Sequence, residues 1–116
     1  MKVTKIFTFD AAHYLKFYDG PCHNLHGHTY RLEVTCKSNI LTNGMLIDFA
    51  VLKQIVTEKI LSKVDHTFLN DVFPFEPTAE KMADWMLKEL QPFIPVHSIR
   101  LYETPTSYAE VSLEDS

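Results

Sequence analysis

The sequence predicts an α+β protein in which a four-stranded antiparallel sheet, in the order ββααββ, carries two helices on one face. Three observations predict it. Residues 28 to 37 alternate between apolar and polar. Two stretches between residues 48 and 91 switch to helical spacing, and alternation returns from residue 97.

In order along the chain, residues 2 to 9 place Val3, Phe7 and Phe9 on one parity and form a first strand. In the second, Tyr30, Leu32, Val34 and Cys36 share one face and Thr29, Arg31, Glu33, Thr35 and Lys37 the other, the signature of a half-buried strand. Asp48 suits a helix N-cap, and Leu52, Ile55, Val56, Ile60 and Val64 follow on one helical face. A second helix starts at Thr78 after Pro77, turns Met82, Met86 and Leu90 inward, and ends before Pro92. Its methionines and Trp85 read as core rather than as a cofactor site. Residues 97 to 103 form a third strand with Ile99 and Leu101 inward. Pro105 to Tyr108 form a turn, and Ala109, Val111 and Leu113 mark the inward face of the last strand.

A chain of 116 residues, 46% hydrophobic, suffices for one core but not two, so residues 1 to 116 are expected to form a single domain. No run approaches the roughly 18 apolar residues of a membrane span. The first residues, MKVTKIFTFDAAH, lack a continuous apolar signal segment, so a cytoplasmic location is expected. A net charge of −4 argues against nucleic acid as a partner, while local basic residues remain available for a phosphorylated small molecule. Two cysteines, Cys22 and Cys36, do not make a disulfide framework in a reducing compartment. The sheet's unpaired edges and polar outer face make closure by several subunits a natural solution.

The chemistry gathers in CHNLHGHTYRLEVTC, residues 22 to 36. Because side chains on a strand repeat every two residues, His26 and His28 project to the same face, a chelating arrangement at the rim of the apolar side. Neutral imidazoles in a partly dry setting suit zinc. His13 is the third candidate ligand: it shares parity with Phe7 and Phe9, and a hairpin-like return brings it beside His26. Three histidines leave one position open, the pattern of a catalytic zinc. Cys22 is open to three readings, as a fourth ligand, an inert thiol or a base whose pKa of about 8.5 a nearby cation lowers. Cys36 reads as core, and His23 and His97 as structural or surface residues.

Asp65 and His66, after the first helix, have the makings of a proton relay, although such a pair also occurs as a solvated helix end. Glu103 has the parity of Ile99 and Leu101 and so carries a carboxylate toward the apolar side, where it needs a partner. A heterocycle edge with two parallel N–H donors is a fitting one. A cupin-type reading of H-x-H fails, since Glu33 has the wrong parity and position 40 is Ile where that motif wants Gly.

FDAAH, C-x3-HGH, GMLIDFAVLK, VDHTFLN, PTAE and ETPTS occur in one order over nearly the whole chain. In this the sequence resembles the 6-pyruvoyltetrahydropterin synthase and 6-carboxytetrahydropterin synthase superfamily, of the tunnelling fold. The resemblance implies His13, His26 and His28 as zinc ligands, Cys22 as catalytic thiol, Asp65 and His66 as relay, and Glu103 as the pterin anchor. It implies 7,8-dihydroneopterin triphosphate as substrate and a barrel-forming homohexamer of two trimers with active sites between subunits, so that Asp65 and His66 serve a neighbour's zinc. The short spacing between Cys22 and HGH resembles the carboxytetrahydropterin branch. The product implied is 6-carboxy-5,6,7,8-tetrahydropterin, with acetaldehyde and triphosphate released, on the way to queuosine and related deazapurines. The alternatives are the pyruvoyl activity and a non-catalytic zinc- or pterin-binding oligomer.

Overall fold

The computed structural model describes residues 1–16 and 24–115. Two long strands, β1 (Lys2–His13) and β2 (His26–Lys37), pair antiparallel along their whole length, from Lys2 opposite Lys37 to His13 opposite His26. Both outrun the predicted limits, β1 by four residues beyond residue 9 and β2 by two before residue 28. The extension carries His13 and His26 onto paired backbone beside His28, where their directions are set by the ladder rather than by a loop. The predicted parity holds: Tyr30, Leu32, Val34 and Cys36 are fully buried, and Phe9 stacks on its cross-strand partner Tyr30 with ring centroids 4.9 Å apart.

The first helical region opens at Asp48, whose Oδ1 accepts from the Ala50 N–H at 2.8 Å, a cap worth about 1 kcal/mol. It runs as α1 (Phe49–Val56), a π-helical turn (Thr57–Leu61) and α2 (Ser62–Val64). The wide turn has a cause in the sequence. Leu52, Val56, Ile60 and Val64 recur every four residues, which overshoots an α-turn of 3.6, and a wider turn returns the stripe to one face. All four side chains are fully buried.

After α2 the chain makes a two-residue strand β3 (Thr67–Phe68), which pairs parallel with Ala11 and Ala12 of β1. The sheet therefore has five strands, in the order β3-β1-β2-β4-β5, rather than the four predicted. Two residues are too few to show a period, so this strand left no pattern to read. A short α3 (Leu69–Val72) follows, then α4 (Ala79–Leu90), capped where predicted by Thr78, whose Oγ1 accepts from the Lys81 N–H at 3.2 Å. Met82, Met86 and Leu90 pack α4 against β4 (Val96–Thr104) and β5 (Ser107–Ser112). The last strand ends one residue before Leu113, which lies 37% exposed in a 3-10 turn (Leu113–Asp115) instead of continuing the inward face.

All helices lie on the Tyr30 side of the sheet. The opposite face is polar, with Arg31 on Glu33 at 2.8 Å, Arg100 on Glu110 at 2.6 Å and the Thr4 and Thr35 hydroxyls 2.7 Å apart. Among the described residues no helix is long and apolar enough to cross a membrane.

Candidate metal centre

Antiparallel pairing of His13 with His26 places two imidazoles side by side at the end of the hairpin, and the two-residue period adds His28 on the same face. The third strand of the site is β4. Its register against β5 shifts between Tyr102 and Thr104, and Glu103 sits in that irregularity. Bulges commonly re-aim a side chain beside a site. Here Glu103 Oε1 lies 3.0 Å from His13 Nε2 and 3.6 Å from His28 Nε2. One donor atom from each of His13, His26, His28 and Glu103 falls within 4.8 Å of the other three, a group able to hold a metal ion.

Each imidazole is oriented from behind. His13 is fully buried, and its Nδ1–H donates to the Pro77 carbonyl at 2.9 Å, which leaves Nε2 turned to the centre. His26 Nδ1–H donates to the Asn24 carbonyl at 2.6 Å, and its Nε2 stands 3.1 Å from His13 Nε2. His28 Nε2 is buried and makes no hydrogen bond among the described residues. A buried ring nitrogen without a partner costs free energy that a bound cation would recover. That atom, aimed into the cluster beside a carboxylate, is the observation on which the residues fit a metal.

Electrostatics divide the four groups. Burial is the largest influence on His13 and pulls its pKa down. The Glu103 hydrogen bond, the Pro77 carbonyl and the Glu103 charge together outweigh it and raise the pKa above the ordinary 6.5. For His28, burial, with repulsion from His26 and His13, outweighs Glu103 and lowers the pKa, which keeps the ring neutral and its lone pair available. Glu103 is held below its usual range, first by the His13 hydrogen bond and then by the charges of the three histidines, against the opposing effect of burial.

Asp65 and His66 form a separate group with Asp10. His66 adopts a left-handed backbone, φ 58°, and its N–H donates to the Asp10 carbonyl at 2.7 Å. Asp65 Oδ1 accepts from the Asp10 N–H and lies 3.0 Å from His66 Nδ1. Asp10 is held in turn by the Thr29 hydroxyl, which donates to its Oδ1 at 2.5 Å. The pair thus hangs on β1 three residues from His13. His66 lines one cavity with Gly27, His28 and Thr29 of the same chain.

Cys22 and His23 lie outside the described residues. The chain leading toward them is fixed by Asn70, whose Oδ1 accepts from the Tyr14 N–H and whose Nδ2 donates to the Tyr14 carbonyl, both at 3.0 Å. Arg31 lines a cavity with Glu103 and His28, whereas Lys16 lines a different one with Tyr14 and Asn70. Cys36 is buried in the core, which pushes its thiol up to about 11, and His97 pairs with Glu114 at 3.1 Å, as a structural residue would. Glu33 pairs with Arg31 on the opposite face, away from the histidines.

The sequence brings the three histidines together but does not mark three of their supports: Pro77 reads only as a helix entry, Asn24 carries no pattern, and Glu103 is paired with a ligand rather than with His13. Nor does it mark Asp10 as the support of Asp65 and His66. A carboxylate of inward parity at a strand end was the one available signal.

Fold and site together define an α+β protein with a three-histidine, one-carboxylate centre at one end of an open, helix-backed sheet. The chain belongs to the 6-pyruvoyl tetrahydropterin synthase family, whose profile it matches over residues 2–114. It is 38% identical to a Haemophilus influenzae protein named 6-carboxy-5,6,7,8-tetrahydropterin synthase, over 94% of this chain and 96% of that one. It is likewise 38% identical to a Synechocystis sp. protein of the same name, over 92% of this chain and 89% of that one. Its backbone superposes on 6-pyruvoyl tetrahydropterin synthase of Caenorhabditis elegans with a TM-score of 0.86 at 26% identity, covering 97% of this chain and 94% of that one.

Proposed function

We propose that the protein is a cytoplasmic, zinc-dependent 6-carboxytetrahydropterin synthase, a lyase that converts 7,8-dihydroneopterin triphosphate and water to 6-carboxy-5,6,7,8-tetrahydropterin, acetaldehyde and triphosphate, toward queuosine and related deazapurines. The observation that carries the reading is the convergence of His13, His26, His28 and Glu103 on one point, with the His28 Nε2 otherwise unsatisfied. Two relatives at 38% identity bearing that enzyme's name favour it over the pyruvoyl activity, because the shared fold hosts proteins named for either product and does not choose between them.

His13, His26 and His28 would hold the metal through Nε2, three neutral imidazoles suiting zinc with a position left for substrate. A zinc ion held there would supply Lewis-acid chemistry, making protons on the substrate side chain more acidic. The chain's own residues do the rest. Glu103 is within reach of the same point and presents a carboxylate that pairs with the two N–H donors of a pterin edge, a bidentate, charge-assisted contact. His66, whose Nδ1–H faces Asp65 Oδ1 at 3.0 Å, takes and returns a proton at Nε2, with Asp65 fixing the ring's tautomer and compensating its charge. Cys22 serves as the second proton-transfer group, acting as a thiolate. The reaction rearranges electrons within the substrate, so no redox cofactor is required. The open sheet edges support assembly of several subunits into a barrel, a homohexamer of two trimers.

Mass analysis of products from the zinc-loaded protein and 7,8-dihydroneopterin triphosphate tests the reading. Acetaldehyde together with the 6-carboxy ring is the expected result. A retained pyruvoyl side chain without acetaldehyde would move the protein to the other branch, and zinc binding without turnover would make it a non-catalytic pterin binder.

A further inference from the structure

Gly27 stands between two metal-ligand candidates, on the open face of β2, and among the described residues nothing requires a glycine there. Its φ lies outside the left-handed region, unlike that of Gly44, where φ is 79° and a side chain would be strained. Among the described residues, the nearest atom that a Cβ on Gly27 would meet is the Ala11 carbonyl oxygen at 3.7 Å, an ordinary van der Waals contact. A glycine within a strand weakens it through backbone entropy and lost packing. The chain forgoes that stability without any return in turn geometry or close packing.

The space left open has a definite position. On one side of Gly27 is a cavity of about 480 Å³ that reaches Arg31, Tyr102 and Glu103. On the other is a cavity of about 420 Å³ that reaches Asp10 and His66. Gly27, His28 and Thr29 line both, so the backbone at Gly27 is the floor common to the two. Each volume is in the range of small-ligand sites, roughly 300–1,000 Å³. A side chain here would project from the polar face of β2, on the opposite side of the strand from the His26 and His28 rings.

We infer that Gly27 is a specificity-determining residue, whose missing side chain lets the substrate lie flat across β2 with its ring toward Glu103 and its side chain toward His28 and His66. The inference rests on the proposed function, which supplies a flat bicyclic ring with a three-carbon tail. It adds what that function leaves open: the ligand approaches from the polar face of the sheet, and the height of the residue between the two histidines limits what fits.

Gly27→Ala and Gly27→Val, compared with wild type by calorimetric titration with 7,8-dihydroneopterin, which lacks the leaving group, and with inorganic triphosphate, test this. Expected are unchanged zinc content and oligomeric state, a Tm equal to or above wild type for Gly27→Ala, and a Kd for 7,8-dihydroneopterin raised at least about tenfold by Ala and further by Val, with triphosphate binding unchanged. Wild-type pterin affinity in Gly27→Ala overturns the inference while leaving the proposed function standing. So does a lower Tm, loss of zinc or dissociation of the oligomer, because the glycine would then serve the protein's own packing. A wild type that binds no pterin removes the proposed function, and this inference with it.

Discussion

His13 and Glu103 face each other at 3.0 Å, Nε2 to Oε1, at the point where the hairpin of β1 and β2 meets the end of β4. The Pro77 carbonyl on the far side of the same ring takes the Nδ1 proton. The imidazole is thus held between two acceptors, one of them charged, with Nε2 turned toward His26, His28 and the carboxylate. Four side chains from three strands are poised to exchange a shared proton for a cation.

Removing either His26 or His28, the half-buried members of the proposed ligand set, is expected to abolish stable zinc binding. Loss of an outer-shell partner commonly costs roughly 10–100-fold in metal affinity. His26→Ala and His28→Ala remove ligands themselves and should exceed that. Elemental analysis after gel filtration reads the result, and full occupancy in both variants would eliminate the site.

Cys22→Ala is expected to keep zinc and lose turnover by roughly 10²–10⁴-fold, the range for a positioned proton-transfer group. Zinc content and the rate of triphosphate release, measured on the same sample, separate the roles. If the metal is lost along with activity, Cys22 is a fourth ligand and the centre is structural.

Glu103→Ala should weaken pterins selectively. A hydrogen bond to a charged group contributes about 1.5–3 kcal/mol, so pterin Kd should rise on the order of 10- to 100-fold, while triphosphate alone binds as before. Equal loss for both ligands would point to disruption of the histidine cluster instead of a lost ring contact.

With zinc removed by chelation, stability should respond to pH through the His13–Glu103 pair. His13 has a raised pKa, so its contribution is full below 6.5 and is lost as pH rises through the raised value. Glu103 has a depressed pKa, so its contribution is full above 4.5 and is lost as pH falls through the depressed value. The pair therefore stabilises the metal-free protein most between 4.5 and 6.5. The difference in Tm between wild type and Glu103→Gln, recorded from acid to alkaline pH, should peak in that window. A flat difference would show that the two groups are not coupled. Zinc must displace the His13 proton, so its affinity should climb as pH rises through the same raised pKa.

The sequence by itself determined the inward faces of β2 and β4, the helix caps at Asp48 and Thr78, and the direction of His26 and His28. Each of these follows from a local rule: a period of two on a strand, a period near 3.6 on a helix, or a short polar side chain that satisfies the first free N–H groups. Even the π-helical turn has a local origin in the four-residue spacing of Leu52, Val56, Ile60 and Val64. A hairpin-like return already brings His13 beside His26 in the sequence, but only the tertiary structure decided the register that sets them directly opposite, because that depends on how many residues both strands pair, and both ran past their visible alternation. It also decided that Glu103 joins the histidines, since inward parity turns that carboxylate to the apolar side but names no partner, and only the packing of β4 against the hairpin brings it to His13. The hold of Pro77 on His13 spans 64 residues, and that of Asp10 on Asp65 spans 55. Backbone carbonyls and amides are the same at every position, so sequence carries no mark of which of them will meet an imidazole or a carboxylate. The strands brought those groups together, and their packing set the angles at which they meet.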